Sequence, residues 1–215
     1  MSRKYELTDK TVIVNGHKLY RIQATKDFGN VKAGQLGGFI ESEANLNHDD
    51  TSWIFGFAKV YGNARLSGSA HVSEDAWVYE DARVFGDARI FGDSFVYGAA
   101  RVYGRAQVFG KARVYGNSHI FGNAWISENT KLCENARVFE NAKVNGNSKI
   151  SGNARISEYA WVFGNAHISG DTWVCGDAWF GEKLKLDSSI WNHMVTLNCK
   201  RYIISTILKK ILVGK

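Results

Sequence analysis

Between Ser52 and Lys183 one six-residue phrase recurs twenty-two times without losing register. AKVYGN at 58–63, ARVFGD at 82–87 and AWVFGN at 160–165 are typical copies. The consensus runs small, variable, aliphatic, aromatic or Ser, Gly or Glu, Asn or Asp. A unit this short cannot bury an apolar face alone and must stack on its neighbours, so the period predicts a solenoid; hexapeptide periods belong to parallel β-helices.

The pattern inside each copy agrees. In Ala82-Arg83-Val84-Phe85 the strand period of two sends Ala and Val to one side, Arg and Phe to the other. The first position is always small and the third aliphatic, apart from Phe180, so these two form the interior. Alternation then breaks at Gly-Asn or Gly-Asp, residues that accept positive φ and turn the chain with little strain. The sequence contains no proline, as expected where every N–H is needed for the ladder to the next coil.

Charge is informative only once located. The net charge of +6 comes almost wholly from the last thirty-two residues, with six basic and one acidic side chain. The repeat carries fourteen basic and thirteen acidic side chains, so overall basicity gives no strong nucleic-acid signal. The polar start MSRKYELTDK does not read as a signal peptide, and no apolar run reaches the ~20 residues that cross a bilayer. Three cysteines, Cys133, Cys175 and Cys199, show no metal-ligand spacing. These features predict a cytoplasmic chain without metal or cofactor.

An open β-helix exposes its bore and its edges, so both ends need covers. The expected organisation is an N-terminal β cap over 1–51, the repeat over 52–183 and a basic cap or tail over 184–215. Thr11–Val14 and Lys18–Gln23 flank Asn15-Gly16, a hairpin signal, and a two-residue irregularity falls around His48–Asp50. In the tail, Ile203, Ile204, Ile207, Leu208, Ile211 and Leu212 follow helical spacing, while a hairpin around Asn198 is a second reading.

The stretch Leu19–Glu41, with Arg21-Ile22, Asp27-Phe28, Val31, Gly34 and Gly38-Phe39-Ile40 ahead of Asn/Gly-rich hexapeptides, resembles the YdcK-like family. Those are bacterial and prophage hexapeptide-repeat proteins within a superfamily of left-handed β-helices that includes trimeric acyltransferases. The resemblance covers roughly Tyr5–Lys183. It implies an all-β, single-stranded, left-handed parallel β-helix of about seven triangular coils, three hexapeptides to a turn, ~35 Å long. It supplies no catalytic residue to carry over.

At three hexapeptides per turn, residues eighteen apart stack. One face then reads Arg65, Arg83, Arg101, His119, Arg137, Arg155, Trp173, beside Ser67, Phe85, Tyr103, Phe121, Phe139, Ser157, Cys175. A second carries Tyr61, Tyr79, Tyr97 and Tyr115; the third carries Trp53, Trp125, Trp161 and Trp179 beside Phe55, Phe91, Phe109 and Phe163. The arginine row is the candidate surface for an acidic protein, an anionic glycan or a nucleotide, with corner acids such as Asp87, Asp93, Glu134 and Glu140 expected to offset part of its charge. The exposed aromatic rows, Tyr61 to Tyr115 and Trp125, Trp161 and Trp179, point to self-association.

The catalytic alternative is an acyltransferase using a surface histidine as general base, as in the superfamily the chain resembles. His119, which interrupts the arginine row, is the candidate. Against it, the array has no insertion to wall off an active site, and its own hexapeptide, Ser-His-Ile-Phe-Gly-Asn, holds no carboxylate to orient the ring. Cys133 and Cys175 stand where Tyr, Phe or Ser is usual and read as small outward fillers. The expectation is a non-enzymatic, rod-like binding or structural module.

Overall fold

A computed structural model describes residues 3–181 and 185–187; the readings made for the tail, and Cys199, lie outside the described residues. Every hexapeptide contributes one two-residue strand, its second and third positions, from Trp53–Ile54 to Trp179–Phe180, and Lys185–Leu186 adds one more beyond the array. Each pairs in parallel with the strand eighteen residues on, as Arg65 with Arg83 and Arg83 with Arg101. Three sheets of eleven, eight and seven strands result. The N–H groups of the second, fourth and sixth positions bond up to the next coil: Arg101 to Ser118 at 2.9 Å, Tyr103 to Ile120 at 2.9 Å, Asp87 to Gly104 at 2.8 Å. A proline at any of these would cut the ladder.

Small first and aliphatic third positions fill the bore as one continuous cluster, from Tyr5 to Leu186, almost all of it sealed from solvent. Where Ser replaces Ala inside, its hydroxyl donates back to the carbonyl three residues earlier, Ser94 to Phe91 and Ser148 to Asn145 at 2.8 Å. These serines therefore leave no orphaned donor, whereas the buried Thr130 hydroxyl, at an equivalent position, has no partner among the described residues.

The solenoid has about eight turns, not seven. The extra turn starts before the hexapeptides. Strand β3 (Leu36–Ile40) pairs Phe39 with Lys59, and Leu46 bridges Leu66, both twenty residues apart, whereas Trp53 and His71 are eighteen apart. The two additional residues thus fall between Leu46 and Trp53, the segment flagged around His48–Asp50.

Ahead of β3, β1 (Tyr5–Val14) and β2 (His17–Ala24) form an antiparallel hairpin around Asn15-Gly16, both at positive φ, and extend the largest sheet. Tyr5, Ile22, Ala24 and Val31 close the bore. Trp53, expected on the outward tryptophan face, is instead fully buried, because Tyr5 and Phe28 cover it edge-on at 6.2 and 5.3 Å. Lys4 is 1% exposed and ties the cap to the first coil, its Nζ donating to the Ser52 carbonyl at 2.8 Å and to the Asp50 carbonyl and carboxylate at 3.1 Å.

The corners hold a further regularity. Glycine at the fifth position lies at positive φ, and so do the glutamates that replace it, Glu74, Glu80, Glu128, Glu134, Glu140 and Glu158, with φ of 58–60°. Each of these carboxylates accepts the fifth-position N–H of the next coil at 2.6–2.9 Å. At the sixth position asparagine amides run in chains, Asn117 to Asn135 to Asn153 to Asp171, each eighteen residues apart.

Candidate functional site: the outward ladders

On the seven-stranded sheet the predicted row exists in register: Arg65, Arg83, Arg101, His119, Arg137, Arg155 and Trp173 are consecutive Cα partners. The five arginines are exposed. Beside them Phe85, Tyr103, Phe121 and Phe139 stack with ring centroids 4.8–5.0 Å apart and planes within 2–3°. The ring spacing is the strand spacing, so the ladder is imposed by the coil and each pair adds about 0.5–1.5 kcal/mol.

The acids do not serve the row as expected. Glu134 and Glu140 bond the N–H groups of Gly152 and Glu158, because the left-handed corner directs them to the next coil. Asp87 lies 3.9 Å from Arg105, at a corner outside the row. Among the described residues none of the five arginines makes an ion pair within 4.0 Å. Their mutual repulsion is tolerable, since exposed charges ~4 Å apart interact by about 1 kcal/mol in water and by less with salt.

His119 sits between Arg101 and Arg137, with Tyr103 edge-on at 6.4 Å. Burial and these two guanidiniums push its pKa below the usual histidine value. The ring is therefore neutral at pH 7. No described side chain hydrogen-bonds it to set its tautomer.

Tyr61, Tyr79, Tyr97 and Tyr115 also stack, 4.9–5.1 Å apart. The cap hairpin lies over the start of this row: Val12, Val14 and Leu19 pack with Phe39, Tyr61, Trp77 and Tyr79, and Tyr61 is 3% exposed. Only Tyr97 and Tyr115 continue past it, half-buried. Burial raises the Tyr79 phenol to about 12, and a bond with Cys133, which continues the column, raises Tyr115 to about 12. Cys133 and Cys175 occupy outward columns but are buried rather than exposed fillers, since these small side chains lie below the reach of solvent between longer neighbours.

On the third face Trp125 and Trp179 are exposed, at 42% and 56%. Trp161 is half-buried, donates to Asn145 Oδ1 at 2.8 Å and meets Trp179 at 5.2 Å. Lys143 lies over Trp125 at 5.2 Å, a cation–π contact.

A second basic row escaped the sequence reading. Arg113, Lys131, Lys149, His167 and Lys185 are consecutive partners on the largest sheet, and the same eighteen-residue spacing at the variable position would have found them.

A family model described as YdcK Beta solenoid repeat matches residues 58–74. The match covers the strands Lys59–Val60, Arg65–Leu66 and His71–Val72, one from each of the three sheets. A solved structure of LpxA from Acinetobacter baumannii is similar at 10% identity, over 70% of this chain and 69% of that one, with a TM-score of 0.38. No curated protein matches the chain. Among the described residues no helix is long and apolar enough to cross a membrane, and no His/Cys/Asp/Glu cluster could hold a metal ion.

Proposed function

We propose that the rod is a non-enzymatic binding module that holds an extended anionic partner along the column from Arg65 to Arg155. The observation that carries this reading is five exposed, unpaired guanidiniums in strict register beside coplanar Phe and Tyr rings. Guanidinium forks bind carboxylate, sulfate and phosphate in two-point fashion, and the rings stack on sugars or flat groups. Five strand spacings give a column of about 24 Å, long enough for an anionic glycan or an acidic protein segment and longer than a single nucleotide needs. Trp125, Trp161 and Trp179, with Tyr97 and Tyr115, are assigned to self-association, because Trp125 and Trp179 leave large apolar surface exposed and such surface favours side-by-side packing.

The test is titration of the full chain with a sulfated glycan such as heparin and with polyglutamate. Reversal at both Arg83→Glu and Arg101→Glu should weaken binding at least tenfold while leaving the far-ultraviolet spectrum unchanged. Equal binding by both proteins overturns the reading. The acyltransferase alternative rests on the neutral ring of His119, which a general base requires. If the protein consumes acyl-CoA and His119→Ala abolishes that consumption, the enzymatic reading replaces this one.

A further inference from the structure

Where the cap meets the solenoid, a groove of about 500 Å³ opens at a corner of the rod, on residues the arginine column does not use. Its wall is not an insertion in the array. It is the turn between Phe28 and Val31, which bond each other's backbones, with Gly29 at φ +50° and a Cβ built there only 3.5 Å from Thr51. The floor is a grid of two columns: Ser69, Asp87 and Arg105 at the corner, and His71, Arg89 and Gln107 on the adjoining sheet.

The chemistry of this grid is specific. Arg89 and Arg105 bring two guanidiniums one coil apart, and Asp87 approaches only Arg105, at 3.9 Å. One positive charge is left over. His71 stands edge-on to Phe55 at 5.2 Å, and burial, with Arg89 beside it, lowers its pKa, so it adds a neutral donor or acceptor. Thr51 Oγ1 and Ser69 Oγ share a hydrogen bond at 2.9 Å, which fixes both hydroxyls at the groove and leaves acceptor capacity for a ligand. Gln107 and Asn30 add amides. No Phe, Tyr or Trp lines the groove, so its lining is polar and charged rather than apolar.

We infer that this groove binds a small hydroxylated anion, a sugar carrying one carboxylate or one phosphate, with Arg89 and Arg105 on the anionic group and Ser69, His71 and Gln107 on the hydroxyls. The volume lies within the range of small-molecule sites. The site is independent of the arginine column, so either assignment can fail without the other.

Calorimetric titration of the full chain with glucuronate, glucose 6-phosphate, glucose and inorganic phosphate tests it. The expected result is binding of at least one anionic sugar, with glucose and inorganic phosphate each at least tenfold weaker. Arg89→Gln should weaken that binding at least tenfold, as loss of a charged hydrogen bond implies, while Lys111→Gln, at an exposed corner outside the groove and the arginine column, leaves it unchanged. Arg89 is exposed, so its substitution spares the fold, and the emission of buried Trp53 verifies this. Binding of neither anionic sugar, phosphate alone binding as tightly as its sugar ester, or indifference to Arg89→Gln would each overturn the assignment.

Discussion

An L side chain held at φ near 60° costs about 1–2 kcal/mol, yet among the described residues six corner positions carry glutamate there instead of glycine. The carboxylate offsets that cost. It takes up the fifth-position N–H of the next coil, which the strand ladder leaves free, and a charge-assisted bond to a backbone donor is worth more than a neutral one. Replacement at Glu140 separates the two effects. Glu140→Ala keeps the strained backbone and loses the acceptor for Glu158, so it should destabilise by about 1 kcal/mol. Glu140→Gly loses the same bond but relieves the strain and should be close to neutral. Urea unfolding midpoints decide it, and an alanine variant as stable as the unsubstituted protein would remove the bond from the explanation. The Gly-or-Glu choice was visible in the sequence. The bond was not, because its two ends are eighteen residues apart and the carboxylates looked like counter-ions for arginine.

At the scale of elements, the cap depends on a single buried cation. Burial lowers the Lys4 pKa, partly offset by its bond to Asp50, and the ammonium is accommodated because Asp50 and Ser52 supply its acceptors. Lys4→Met would take its cation from the Asp50 carboxylate, which keeps the Ser52 and Gly68 donors, a loss of about 1–3 kcal/mol. The expected signature is early, separate unfolding of the cap. It would be seen as a red shift of Trp53 emission in urea before the β signal falls, whereas a single unshifted transition would show that Lys4 is dispensable. This part of the molecule was the least legible. Asn15-Gly16 announced the hairpin, and the two extra residues before Trp53 were found by spacing. Nothing in the sequence showed that the hairpin would fold back over Tyr61 and Tyr79, or that Tyr5 and Phe28 would bury Trp53. Those contacts depend on how β1 and β2 dock, and a periodicity cannot encode docking. The same docking creates the Gly29–Asn30 wall of the corner groove.

For the whole molecule, period-eighteen stacking converts a repetitive sequence into separate chemical faces, and the array was legible almost residue by residue for that reason. Its tryptophan face should drive association. Light scattering should give a mass above 24.0 kDa that falls toward it in a Trp125→Ser/Trp179→Ser double variant, and a monomer at all concentrations would refute that role. The arginine face carries the functional reading, and the salt dependence of polyanion binding tests it most directly. If Arg65, Arg83, Arg101, Arg137 and Arg155 each hold one anionic group, replacing them singly with glutamine should lower the slope of log affinity against log salt by about one apiece. A slope that stays the same through all five replacements would contradict the proposed function.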